Sequence, residues 1–345
     1  MNPSVISLTT SSSNLFFGEE GHGIARYDVV RYPVLQSIDE KMKGFFWRPV
    51  EVDVSQEKQS FDKMTEAEQF VFTANLRRQI LLDTIQGRSP SLTFLPYCTD
   101  PTLENCILTW SFFESIHSEA YTHIIRAIYP DPSSVFVEIP SIPEIVTCSD
   151  SISSSYDNFR EDPSKENLYL ALITANALEA LRFYVSFACS FSFAERGSME
   201  ASSKILKLIL KDEAVHLALV QNILKILPKD DPEFVQIIED NRAIAISIYE
   251  ETAQQEKDWT KYLFQHGSIL GLNEKILCQF VDYLLPRRKF SAGLSTYRAQ
   301  SEHPLPWFPK WERNDNVQVA PQEVELSSYL VGTVKNDLLD TTFEL

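Results

Sequence analysis

Residues 167–194 read NLYLALITANALEALRFYVSFACSFSFA, a stretch that is apolar or small on every side and carries only Glu179 and Arg182 as charges. A helix that is apolar all round is buried, either in a large core or in a membrane. Each uncharged run here spans 12 residues, short of the roughly 17 to 25 that cross a bilayer. The segment is therefore expected to be the central helix of a helical bundle, with no membrane partner. An unpaired buried carboxylate costs several kcal/mol or protonates, so Glu179 needs a cation. Two sources fit: Arg182, one turn along, or a metal ion.

The rest of the chain supports a large helical core. Only 10 of 345 residues are Gly, and Gly is what turns, hairpins and tight β corners consume. Few long helices are thus favoured over many short strands, and the expected class is all-α. Thr65-Glu66-Ala67-Glu68 is a capping box, and Asp100-Pro101 places a good N-cap before a Pro at the first helical position. Further helical stretches are expected at about 34–46, 166–195, 199–226, 232–265 and 273–295, where apolar residues recur at 3 and 4 spacing. No Pro/Gly/Ser linker divides them, so one helical domain over 31–300 is expected, after a lead-in at 1–30 and before a flexible tail at 301–345. Residues 312–345 hold seven acids against Arg313 and Lys335, too polar to fold alone.

Charge and cysteine usage exclude several functions. Thirty-one basic against 48 acidic residues give a net charge of -17, which opposes binding to nucleic acid or to an anionic membrane surface. The cysteines, Cys98, Cys106, Cys148, Cys189 and Cys278, include no CxxC pair, so neither a disulfide framework nor a zinc ribbon is proposed and a reducing cytoplasm is expected. The start, MNPSVISLTTSSSNLFF, lacks the basic and long apolar regions of a signal peptide.

Two helices carry Glu-x-x-His: Glu114 with His117, and Glu213 with His216. At i and i+3 both side chains leave one helical face, so an oxygen and an imidazole nitrogen can meet one metal ion. Spacing alone is weak, since chance gives about 0.8 such matches in a chain this acidic. Glu19 and His22 form a third, in the Gly-rich GEEGHG, and are read as accidental. Position separates the other two from chance. Trp110, Glu114, His117, Tyr121 and Ile124 form one stripe, and Leu206, Ile209, Glu213, His216 and Val220 another, so both motifs interrupt apolar faces. Phe72, Leu76, Ile80 and Asp83 place Asp83 inward in the same way. The collected set is Asp83, Glu114, His117, Glu179, Glu213 and His216 on four helices. Four carboxylates balance two divalent cations, whereas alone in a low dielectric they repel. Such a donor set suits iron or manganese and can activate dioxygen.

This arrangement is that of ferritin-like di-metal bundles, and longer stretches make the likeness specific. FFWRPVEVDVS, LLDTIQGRSP, ESIHSEAYTHIIR, NALEALRFYVSFACSF, KDEAVHL, AQQEKDWTKYLF and NVQVAPQEVELSSYLVG, spread from Phe45 to Gly332, resemble the small, radical-generating subunit of class I ribonucleotide reductase, most of all the bacterial class Ia form. The resemblance implies a di-iron centre, with manganese the other candidate metal, and a stable tyrosyl radical on Tyr121. It implies an apolar radical pocket of Phe183, Phe187 and Ile209, and a transfer route through Asp212 and Trp47 to Glu323 and Tyr329 in the tail. It also implies a homodimer whose apolar-acidic C-terminus docks onto a large catalytic subunit. That partner would reduce ribonucleoside diphosphates, because this chain has no phosphate-cradling Gly-rich motif and no paired redox cysteines. Two other functions share the ligand set: a ferritin-like oxidase such as a desaturase, with a substrate tunnel, and an iron store, with a chain about half as long.

Overall fold

A computed structural model of the chain describes residues 8, 14–18 and 22–313. Helix α1 is Pro33–Gly44, α2 Glu57–Asp62, α3 Glu66–Ser89, α4 Pro101–Ile128 and α5 Ser133–Val137. Helix α6 is Pro143–Glu161, α7 Lys165–Ala177, α8 Tyr184–Ala194 and α9 Glu200–Asp230. Then follow α10 Glu233–Asp240, α11 Arg242–Leu263, α12 Glu274–Ser291 and α13 Pro309–Glu312. No strand occurs among the described residues, only the isolated bridges Phe16 to Cys98 and Ile269 to Leu272.

The helix starts form as their residues require. Thr65 Oγ1 accepts the Glu68 backbone N–H while the Glu68 carboxylate accepts the Thr65 N–H, a reciprocal cap on α3. Asp100 accepts the N–H groups of Thr102 and Leu103 at the start of α4. Helix α3 packs along α4 and α8, and α9 packs against α4, α7 and α8, so four helical walls face one core. The run Lys165–Ala194 is long and apolar enough to cross a membrane by length and composition, yet 94% of its most apolar window is buried within the protein. It is a core helix.

Four features depart from the sequence reading. The central helix is not continuous: one π-helical turn, Leu178–Arg182, separates α7 from α8. The stretch 232–265 divides at Asn241 into α10 and α11. Helix α6 was not anticipated, because its serines mask a buried stripe of Ile145, Cys148, Ile152, Tyr156 and Phe159. At the other end, the chain separates into units at Glu312, so residues 301–312 do not belong to the tail to which the sequence assigned them. Phe308 is buried against Phe280, with ring centroids 5.0 Å apart, and Trp311 stacks on Phe191 at 4.4 Å. Those contacts bury aromatic surface that a free tail would leave in water. Glu19, Glu323, Tyr329 and the last nine residues lie outside the described residues.

Candidate metal centre

Helix α3 delivers Asp83, α4 delivers Glu114 and His117, the π turn delivers Glu179, and α9 delivers Glu213 and His216. All six are 0% exposed. Their donor atoms form two groups, Asp83, Glu114, His117 and Glu213 in one, and Glu114, Glu179, Glu213 and His216 in the other, each within 4.8 Å mutually. Glu114 and Glu213 belong to both. Glu114 turns Oε2 to His117 Nδ1 at 3.3 Å and Oε1 to His216 Nδ1 at 3.1 Å. Glu213 turns Oε1 to His117 at 3.2 Å and Oε2 to His216 at 3.0 Å. Each shared carboxylate thus offers one oxygen to either side, the shape needed to span two ions.

The polar atoms fit metals better than they fit one another. Both oxygens of Asp83 and Glu179 Oε2 are buried without a hydrogen-bond partner, and Glu114 Oε2 and Glu213 Oε1 share the single nitrogen His117 Nδ1, at 3.3 and 3.2 Å. An unsatisfied buried polar atom costs about 1 to 3 kcal/mol and is rare in native proteins, so three on one cluster, beside two carboxylate oxygens crowded on one nitrogen, call for cations. Arg182 does not supply the charge. Its guanidinium bonds Cys148 Sγ, Gln255, Ser151 and Thr252 instead, and Glu179 receives only an amide N–H from Gln86. The π turn is what parts Glu179 from Arg182: single π turns inside α-helices reset the direction of the side chains after them and recur at functional sites.

Electrostatics show what the ligands do without metal. Burial, and then the facing Glu114 and Glu213, push the Asp83 and Glu179 carboxyls well above the usual range. Burial also raises Glu213, but the His117 and His216 imidazoles outweigh it and leave that carboxyl below the usual range. For His216 burial acts downward, while hydrogen bonds and charge from Glu114 and Glu213 prevail and push it up to about 9. His117 is likewise raised, with Glu213 and Asp212 overcoming burial. A folded-state pKa above the unfolded value means that the folded chain keeps a proton the unfolded chain releases. The His216 contribution is therefore full below 6.5 and lost as pH rises through about 9. Metal-free protein is expected to show a falling thermal midpoint across that window, and metal-loaded protein a nearly level one, because the ion replaces the protons. Thermal unfolding at several pH values checks this, and a level metal-free midpoint counts against it.

Around the ligands, Asp212 is buried, unlike an ordinary helix-surface charge. Its Oδ2 accepts Trp47 Nε1–H at 2.8 Å and lies 3.1 Å from His117 Nε2. The Trp47 and His117 rings stack with centroids 6.4 Å apart. Tyr121, one turn after His117, is fully buried, with its hydroxyl beside the Asp83 carboxyl. Burial, then Asp83 and Glu213, push its pKa well upward, so the phenol is neutral. Phe183, Phe187 and Ile209 are fully buried, the two rings stacking at 6.0 Å. Sequence reasoning missed Gln86 and Tyr156, and saw Trp110 only as part of an apolar stripe. Trp110 Nε1 donates to Glu114 Oε1 at 3.0 Å. Gln86 follows Asp83 by three residues and Trp110 precedes Glu114 by four, so helical spacing from a ligand was the available signal.

Comparison with known proteins extends the likeness over nearly the whole chain. Residues 26–304 match the family model for the small chain of ribonucleotide reductase. The chain is 45% identical over 350 residues to the ribonucleoside-diphosphate reductase 1 subunit beta of Escherichia coli O157:H7, covering 94% of this chain and 93% of that one. It is also 45% identical over 356 residues to the subunit beta of Haemophilus influenzae, covering 96% and 94%. In fold it matches the ribonucleotide reductase R2 subunit of Clostridium botulinum with a TM-score of 0.83 at 22% identity, over 91% of this chain and 99% of that one.

Proposed function

The chain belongs to the small-chain family of ribonucleotide reductases, and on that premise we propose that its six buried ligands hold two iron ions and that Tyr121 is the residue oxidised to a stable radical. The family supplies the radical-generating part of an oxidoreductase that makes deoxyribonucleotides, working with a large subunit. The observation that carries the finer reading is the pair of overlapping ligand groups sharing Glu114 and Glu213, on the helices that also bring up Asp212 and Tyr121.

Ferrous ions bound there supply the electrons that reduce dioxygen and the oxidising power that takes one from a phenol. The chain's own residues then have distinct tasks. Glu114 and Glu213 span the two positions, Asp83 and His117 complete one, and Glu179 and His216 complete the other. Tyr121 would give up one electron together with its phenolic proton, for which the Asp83 carboxylate beside the hydroxyl is the base this chain supplies, so the tyrosyl product is neutral in a dry core. Phe183, Phe187 and Ile209 keep water and reductants away. For onward transfer Trp47 gives an electron inward and its indole proton to Asp212, which already accepts that N–H. Tyr329 and Glu323 continue the route toward the large subunit. An oxidase acting on a substrate in a tunnel, or an iron store, gives the Trp47, Asp212 and His117 chain no task.

Electron paramagnetic resonance after metal-free protein receives ferrous iron and oxygen tests the reading. A tyrosyl signal is expected; two bound irons with oxygen consumed and no organic radical would defeat it. The tail has a separate test. Leu338, Leu339, Phe343 and Leu345 lie among acids in a segment suited to a helix-in-groove contact. Deleting residues 337–345 is expected to leave metal and radical intact while abolishing association with the large subunit, and the free peptide is expected to compete. Undiminished activity of the truncated chain at subunit concentrations near the intact chain's dissociation constant would discard the docking role.

A further inference from the structure

The two oxygens of Glu179 meet different neighbours. Oε1 accepts an N–H from Gln86 Nε2 at 2.8 Å, whereas Oε2 has no hydrogen-bond partner. Gln86 is itself fully buried, and its Oε1 accepts the Tyr156 hydroxyl at 2.9 Å. An amide has one donor end and one acceptor end, and an ionised carboxylate can only accept. Glu179 is ionised as a metal ligand, so it takes the NH2 end of Gln86, and the Tyr156 phenol, kept neutral chiefly by burial, takes the other. The amide is held from both sides. Tyr156 in turn is seated edge-on against Phe94, with centroids 5.9 Å apart.

The two ends of the cluster differ in this respect. Toward His216, Glu179 Oε1 is held by Gln86 and Glu114 Oε1 by Trp110. Toward His117 no carboxylate oxygen is held from outside the cluster: both Asp83 oxygens have no hydrogen-bond partner, Glu114 Oε2 and Glu213 Oε1 meet only His117 Nδ1, and the outer contact at that end, from Asp212, goes to the imidazole. We infer that Gln86, oriented by Tyr156, is a positioning residue that turns Glu179 so that only Oε2 faces the metal position shared with His216, making that position the tighter of the two. The inference rests on the two-metal reading and adds an inequality between the positions that exists before any ion enters. A carboxylate already held through one oxygen has less rotational freedom left to lose on binding, so less of the interaction energy is consumed in ordering it.

Manganese(II) alone, titrated into the full-length metal-free chain with free ion followed by its paramagnetic resonance signal, is the test. The unsubstituted chain is expected to show a tighter and a weaker site. Gln86→Leu removes the donor at similar volume and is expected to weaken the tighter site by about 10- to 100-fold, the range typical when a group that orients a metal ligand is lost, with the weaker site unchanged. Tyr156→Phe keeps the ring, removes the hydroxyl and is expected to shift the same site by a smaller factor. In Glu179→Ala, where the carboxylate is gone, adding Gln86→Leu is expected to change nothing further. A residue that only supported the fold would shift both sites, or act equally with Glu179 absent. The positioning role is overturned if the tighter site keeps its affinity in Gln86→Leu and in Tyr156→Phe, or if Gln86→Leu weakens the site left in Glu179→Ala. If Gln86→Leu does not fold, Tyr156→Phe decides alone: an unshifted tighter site overturns the role. An unsubstituted chain that binds fewer than two ions overturns the two-metal reading, and this inference with it.

Discussion

Tyr121→Phe is expected to fold, bind two metals and consume oxygen, yet give no tyrosyl signal and no reductase activity with the large subunit. The substitution removes one hydroxyl and leaves the ring, so core packing is kept. That hydroxyl is buried with the Asp83 carboxyl as its polar neighbour, so deleting it removes a desolvation penalty and a weak contact together. Stability is thus expected to change by no more than about 1 kcal/mol. Complete loss of activity with a nearly unchanged thermal midpoint is a combination that damage to the fold cannot produce. Thermal unfolding, metal analysis and paramagnetic resonance on one preparation check all parts together. A radical of unchanged line shape in the variant would move the oxidised residue to another tyrosine.

The ligand cluster was legible in the sequence because helical periodicity is local. Glu114, His117, Glu213 and His216 interrupt apolar stripes, and a stripe read at 3 and 4 spacing needs no knowledge of what packs against it. Glu179 stood out for the same reason, as an acid inside an otherwise uncharged run. What could not be read was non-local or compositionally silent. A π turn changes the hydrogen-bonding step without changing residue types, so the break at Leu178–Arg182, which sends Arg182 away to Cys148 and Gln255, left no mark. Gln86 resembles any surface glutamine until α6 is known to bring Tyr156 beside it, and α6 was hidden by its serines. Residues 305–311 fell within the expected tail because Phe308 and Trp311 pack against Phe280 and Phe191, which lie far off in sequence.

Glu213→Ala is expected to abolish tight binding of both ions, whereas Glu179→Ala is expected to lose only the ion on the His216 side. The difference follows from geometry, since Glu213 belongs to both ligand groups and Glu179 to one. Stability of the metal-free chain should separate the two variants further, and in opposite directions. Glu213 is the carboxylate held below its usual range by His117 and His216, so its removal leaves two buried imidazoles short of counter-charge, a change that typically costs about 3 to 5 kcal/mol. Glu179 is raised by burial and by repulsion from Glu213 and Glu114, so its removal relieves a strain and leaves the metal-free midpoint level or higher. In the presence of metal both variants fall below the unsubstituted chain, because each forfeits the stabilisation that ligand binding adds. Two tightly bound ions in Glu213→Ala would rule out the shared-carboxylate geometry. Two in Glu179→Ala would remove Glu179 from the ligand set while leaving the Glu-x-x-His pairs in place.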